Sequence, residues 1–117
     1  MNPDRQKSIS YFRTPPCNYT CAQAILKGFQ QEFAIKDDLV DKFAEYRGGR
    51  APDGVCGAVY AANYLLRQKG FGPINETFAA KAGSDKCIEI KGTYRFPCPD
   101  CIILADQLIE EEIKRQQ

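Results

Sequence analysis

Among its 117 residues the chain has no histidine. That absence excludes a Cys–His catalytic dyad and every histidine-containing zinc site within this chain. An excess of charge is missing as well. Sixteen basic and fifteen acidic residues leave a net +1, so nothing in the charge balance points to nucleic acid or an anionic membrane as a partner. No apolar run approaches the roughly 18 residues needed to cross a bilayer. The N-terminal "MNPDRQKSISYFRTPP" is polar, without an apolar stretch of signal-peptide length. The expectation is a cytoplasmic protein with no membrane insertion. There is no Gly-rich phosphate loop, G-x-S-x-G elbow or paired-carboxylate constellation, which argues against conventional hydrolysis and phosphoryl transfer.

What the chain does have is cysteine, six of them. Reducing compartments disfavour permanent disulfides, so cysteines gathered there are more often ligands or redox groups. The bland alternative treats each as a small hydrophobe filling a core.

Helical periods dominate and β-signals are sparse. In "CNYTCAQAILKGFQQEF" the residues Cys21, Ile25, Phe29 and Phe33 recur every four positions, forming one helical stripe. Asn18 is an N-cap candidate, with Thr14 before Pro15 and Pro16 as a competing start. "KDDLVDKFAEYR" predicts a second helix with Leu39, Val40, Phe43 and Tyr46 facing inward. After the break "GGRAPDG", a third runs from about Gly54 to Lys69 with Val59, Ala62 and Leu66 on one side. Its alanine-rich start would let another helix approach closely, and Gly70, Gly72 and Pro73 end it. "PINETFAAKAG" predicts a fourth helix ending at Gly83. "SDKCIEIKG" can be a short strand by alternation, although Ser84 as a cap favours a helical turn. "CPDCIILADQLIEEEIKRQQ" closes the chain as a helix with Pro99 at its first position and Ile102, Ala105, Ile109 and Ile113 inward. The expected fold is one small all-α domain over residues 14–117, of about five packed helices. Residues 1–13 form a polar N-terminal tail, mobile or docked.

The cysteines fall at the predicted helix starts. Asn18 lies three residues before Cys21, Asp53 three before Cys56 and Ser84 three before Cys87. Cys98 would itself cap a helix with Cys101 three residues on. Such caps put four thiols at N3, where unpaired N–H groups and the helix dipole favour thiolate. A thiol of pKa near 8.5 is only about 3% ionised at pH 7, and one near 6.5 is roughly three-quarters ionised. Thiolate is the form that attacks disulfides or binds metals. "CPDC" is a C-x-x-C, a spacing that serves a reversible disulfide or one corner of a metal site. "CNYTC" sets Cys17 one helical turn before Cys21. Arg47 and Arg50 flank the glycine pair and offer positive charge near Cys56, or simply a solvated loop.

In their order, "NYTCAQAIL", "GGRAPDGVCGAVYA", "GSDKCIEIKG" and "CPDCIILADQLIEEEI" resemble the C_GCAxxG_C_C family of probable redox proteins. The resemblance covers most of the chain from about Cys17. It implies a small helical bacterial or archaeal protein with four characteristic cysteines, here Cys21, Cys56, Cys87 and Cys98, and a link to a transporter system. Gly57 and Ala58 match the motif that follows Cys56. Ala61 stands where the family motif usually has glycine, and Cys17 and Cys101 are additions.

Three function classes follow. The first is a thiol-based redox protein cycling between dithiol and disulfide, for electron transfer or redox sensing, with Cys98 and Cys101 as one couple and Cys21, Cys56 and Cys87 nearby. It would exchange with a redox partner protein or a small thiol or disulfide. A thioredoxin-like βαβ pattern is absent. The second is a metal-binding protein in which Cys21, Cys56, Cys87 and Cys98 hold an iron–sulfur cluster or zinc. The third is an interaction module whose thiols merely pack. A homodimer is compatible with each.

Overall fold

The computed structural model describes residues 5–15, 18–46 and 50–116. Six α-helices form among them: α1 (Cys21–Gly28), α2 (Asp37–Lys42), α3 (Gly57–Gln68), α4 (Asn75–Ala82), α5 (Cys87–Gly92) and α6 (Cys98–Gln116). Short 3-10 turns at Ser8–Tyr11, Phe43–Glu45 and Pro52–Gly54 fill the connections. The described residues contain no strand, only isolated bridges between Phe12 and Tyr19 and between Val55 and Lys86. Among the described residues, no helix is long and apolar enough to cross a membrane. The radius of gyration, 13.0 Å, matches the roughly 13 Å of one domain this size.

Local sequence explains most boundaries. α1 starts at a capping box: the Gln23 N–H donates to Thr20 Oγ1 at 3.3 Å, and the Thr20 N–H donates to Gln23 Oε1 at 3.0 Å. It stops at Gly28, one turn short of the predicted stripe, and Phe33 sits in the irregular stretch that follows. Gln30 holds that stretch, its amide donating to Ile35 O at 3.0 Å and to Asp37 Oδ1 at 2.7 Å. α4 ends where predicted, with Gly83 in the left-handed region at φ 96°. A Cβ there would also lie 2.3 Å from the Tyr94 ring. "CIEI" is helical and not a strand, within α5.

The core lies between α1, α3 and α6. Ile25, Leu26 and Phe29 meet Val59, Leu65 and Leu66, and Ile102, Ala105 and Ile109, all with no exposed surface. Alanines at 22, 24, 58, 61 and 62 are equally buried, and their small size lets α1 and α3 pack closely. Three hydrogen bonds through Asn63 and Asn75 tie α3 to the turn before α5. Asn63 Oδ1 accepts from the Ile74 N–H at 2.9 Å, Asn63 Nδ2 donates to Asn75 Oδ1 at 2.7 Å, and Asn75 Nδ2 donates to Asp85 Oδ2 at 2.7 Å.

Residues 5–13 take the docked alternative. Ser8 is fully buried, and the Arg5 side chain retains 5% exposure against α6. Arg5 Nη2 and Nη1 donate to Asp106 Oδ1 and Oδ2 at 2.6 and 3.1 Å, and Nη1 donates to Gly28 O at 2.9 Å. The guanidinium lies 3.9 Å over the Phe29 ring. Glu110 pairs with both Arg5 and Lys7.

Candidate thiol site

The predicted caps are not the ones the chain uses. Asn18 and Asp53 have φ of 52° and 62°, left-handed backbone incompatible with the extended geometry of an N-cap. Thr20 caps α1, so Cys21 is its first residue. Cys56 is itself the cap residue of α3. Ser84 spends its hydroxyl accepting the Lys86 N–H at 3.0 Å and donating to Glu89 at 2.7 Å, so Lys86 precedes α5 and Cys87 opens it. Cys98 opens α6, while the Cys101 N–H bonds the Pro97 carbonyl at 3.0 Å. Cys21, Cys87 and Cys98 are therefore first residues of their helices and Cys56 a cap residue, while Cys101 completes the first turn of α6; none sits at N3.

Loop pairing then gathers them. The Cys56 N–H donates to Asp85 O at 2.7 Å beside the Val55–Lys86 bridge, which brings the α3 start against the α5 start. Beyond α5 the chain doubles back, the Phe96 N–H donating to Ile90 O at 2.9 Å, and delivers Cys98 at once. Gly57 closes the set from α1: an added Cβ would lie 2.2 Å from Tyr46 O and 2.7 Å from Cys21 Sγ. Only a residue without a Cβ lets these two helix starts meet.

The result is a single cavity of about 20 Å³ lined by Cys21, Cys56, Cys87, Cys98 and Cys101, with Gly57, Ile90 and Lys91 completing the wall. None of these five sulfurs is in a disulfide; Cys21 and Cys98 are half-buried and the other three buried. Cys17 and Arg47 lie outside the described residues. Asp53 and Ser84 act in the turns and do not line the cavity, and Ala58 packs into the core. Lys91 is the contributor that sequence reasoning missed. It lies in the last turn of α5, in a register readable only once that segment is known to be helical.

The electrostatics differ from the expectation of lowered thiol pKa values. Burial pushes Cys21 up from its ordinary 9.0 to about 12, with the nearby Cys56 and Cys98 adding to the rise. Cys56 is also raised, first by its hydrogen bond with Cys101 and then by burial; the N–H groups of Val59 and Ala58 pull the other way and lose. Desolvation and crowded sulfur outweigh the helix start at both positions. The Lys91 pKa is raised chiefly by its bond to the Cys98 sulfur, which places a cation at the half-buried end of the cavity.

These directions fix a pH dependence. A thiol whose folded pKa lies above its unfolded value stabilises the fold fully below the unfolded value, and that contribution is lost as pH rises toward the folded one. The reduced protein is expected to lose urea resistance between about pH 9 and pH 12, the window set by Cys21. At pH 7 Cys21 carries roughly a thousandfold less thiolate than an ordinary cysteine, so iodoacetamide should label it correspondingly slowly. Labelling of Cys21 at the rate of a free thiol would contradict the assignment.

Among the described residues, no group of three or more cysteines, aspartates or glutamates is placed to hold a metal ion. A cavity of about 20 Å³ accommodates about one water molecule, too little for a multi-iron core. As arranged, the thiols do not fit zinc or a cluster. Comparison with family models, curated proteins and solved structures finds no match to this chain. The resemblance to the C_GCAxxG_C_C family thus rests on the cysteine motifs themselves.

Proposed function

We propose that the protein is a thiol-based redox protein that cycles between dithiol and disulfide, with Cys98 as the attacking thiol and Cys101 as its resolving partner. One observation carries this reading: five cysteines from four helix starts line one cavity whose half-buried end holds Cys98 against Lys91. Cys101 is only 2% exposed, so an incoming disulfide meets Cys98 first. The Cys98 thiolate attacks one sulfur of a substrate disulfide, forming a mixed disulfide and releasing the other half as thiolate. Cys101, once deprotonated, attacks Cys98 Sγ and releases the second half. The protein then holds a Cys98–Cys101 disulfide, and its two protons leave with the two product thiols. The Cys56–Cys101 hydrogen bond marks a buried sulfur next to the resolving one and a second route for the same electrons. A cytoplasmic setting suits the cycle, since reduced thiols are maintained there.

Redox titration with glutathione and dithiothreitol buffers, followed by alkylation and mass spectrometry, tests the assignment. The expected result is one two-electron transition between about −270 and −120 mV, the range of dithiol proteins, with a Cys98–Cys101 crosslink. Full alkylation of every cysteine across that range would overturn it.

A further inference from the structure

Beside the thiol cavity lies a larger groove of about 430 Å³, and the two share Cys21, Cys98 and Lys91. Its other walls include the exposed side chains of Arg13, Arg50 and Asn18. Three cations thus surround two half-buried sulfurs, and no carboxylate is among the described residues that line the groove. The volume is that of a small-molecule site.

The segment before α1 is shaped to hold this wall. Arg13 and Asn18 both adopt left-handed backbone, with φ of 51° and 52°. The Arg13 N–H donates to Tyr19 O at 3.0 Å and the Asn18 N–H to Thr14 O at 3.0 Å. Thr14 Oγ1 donates to Ser10 O at 2.8 Å and closes the turn. Non-glycine residues persist in this region only where surrounding structure over-determines them, and they cluster at ligand sites. Held in this conformation, Arg13 lines the groove beside the thiol cavity.

The geometry points to a low-molecular-weight disulfide bearing carboxylates as the substrate of Cys98. This inference rests on the dithiol–disulfide reading and names the substrate class for the same site. Guanidinium groups bind carboxylates through paired N–H donors, so Arg13 and Arg50 would hold the acidic ends while the sulfur–sulfur bond faces Cys98. Exchange then proceeds as above: the bond to Cys98 forms as the substrate bond breaks, and one carboxylated thiolate departs. A cationic disulfide meets repulsion at the same groove.

Two measurements separate the claims. Reduced protein is mixed with 3,3′-dithiodipropionate, 2-hydroxyethyl disulfide or cystamine, and each rate is divided by that of free dithiothreitol with the same reagent. The anionic disulfide is expected to lead the cationic one by at least about tenfold. The margin should shrink as salt rises, because exposed charges are screened beyond about 8 Å at physiological ionic strength, and it should reverse in the double variant Arg13→Glu, Arg50→Glu. Equal normalised rates for all three reagents would overturn the groove assignment and leave the redox reading intact. The second measurement needs no electrons. Suberate, the all-carbon counterpart of dithiodipropionate, is titrated into the wild-type protein with amide shifts followed by NMR. Shifts at Arg13, Asn18, Arg50 and Lys91 support the groove even if no disulfide oxidises the protein, an outcome that would defeat only the redox reading. Absence of shifts at millimolar suberate would overturn the groove.

Discussion

Asp106→Ala is expected to cost the folded state about 3 kcal/mol, the lower end of what removing one partner of a buried ion pair costs. The Asp106 side chain is 6% exposed and takes both terminal nitrogens of Arg5. Its Oδ2 also accepts the Ser8 N–H at 2.9 Å. Alanine would leave a buried guanidinium and a buried backbone N–H short of acceptors. Glu110 still reaches Arg5, which keeps the loss from the upper end of the range. The double variant Arg5→Met, Asp106→Leu is expected to recover most of the difference, because apolar replacement of a whole buried pair is often neutral. Urea midpoints of the two variants provide the check. A single variant with unchanged midpoint would mean that the N-terminal segment is not docked as described. For a domain whose whole stability is about 5–15 kcal/mol, this one carboxylate is a large share.

The second large effect belongs to Gly57→Ala. The added methyl carbon would sit 2.2 Å from Tyr46 O and 2.7 Å from Cys21 Sγ. The sulfur can rotate aside, but the carbonyl is backbone and moves only with the chain leading out of α2. Overpacking of this kind costs about 1–3 kcal/mol, and the upper end is expected here because the nearer neighbour cannot yield. The variant should also shift Cys21 outward and speed its alkylation, since burial is what raises its pKa. Both effects are read from one set of samples, by urea midpoint and by iodoacetamide labelling. A variant with wild-type values in each would show that α1 and α3 do not meet at this point.

Both residues mark where sequence reasoning reached its limit. Gly57 was visible as part of a motif, but the motif gives no indication that its hydrogen faces a carbonyl from residue 46. Asp106 lies within the last helix with nothing in its neighbourhood to signal a partner 101 positions away. The N-terminal segment reads as a polar tail because Arg5 and Lys7 are charged; it docks because α6 presents Asp106 and Glu110 to them. The cap assignments failed for a related reason. Asn, Asp and Ser are suited equally to capping helices and to turns, and here Asn18, Asp53 and Ser84 all serve turns.

By contrast, the all-helical class, the breaks at Gly70 and Gly83, the inward face of α6 and the nearness of cysteines to helix starts follow from periodicity and local turn chemistry alone. Those properties depend on neighbours within about four positions, and such neighbours are printed side by side. Bringing the sulfurs to one cavity, raising the Cys21 and Cys56 thiols and setting Lys91 against Cys98 needed the tertiary structure. Each of these depends on a distance between residues far apart in the chain, and on how much water the folded core leaves around them.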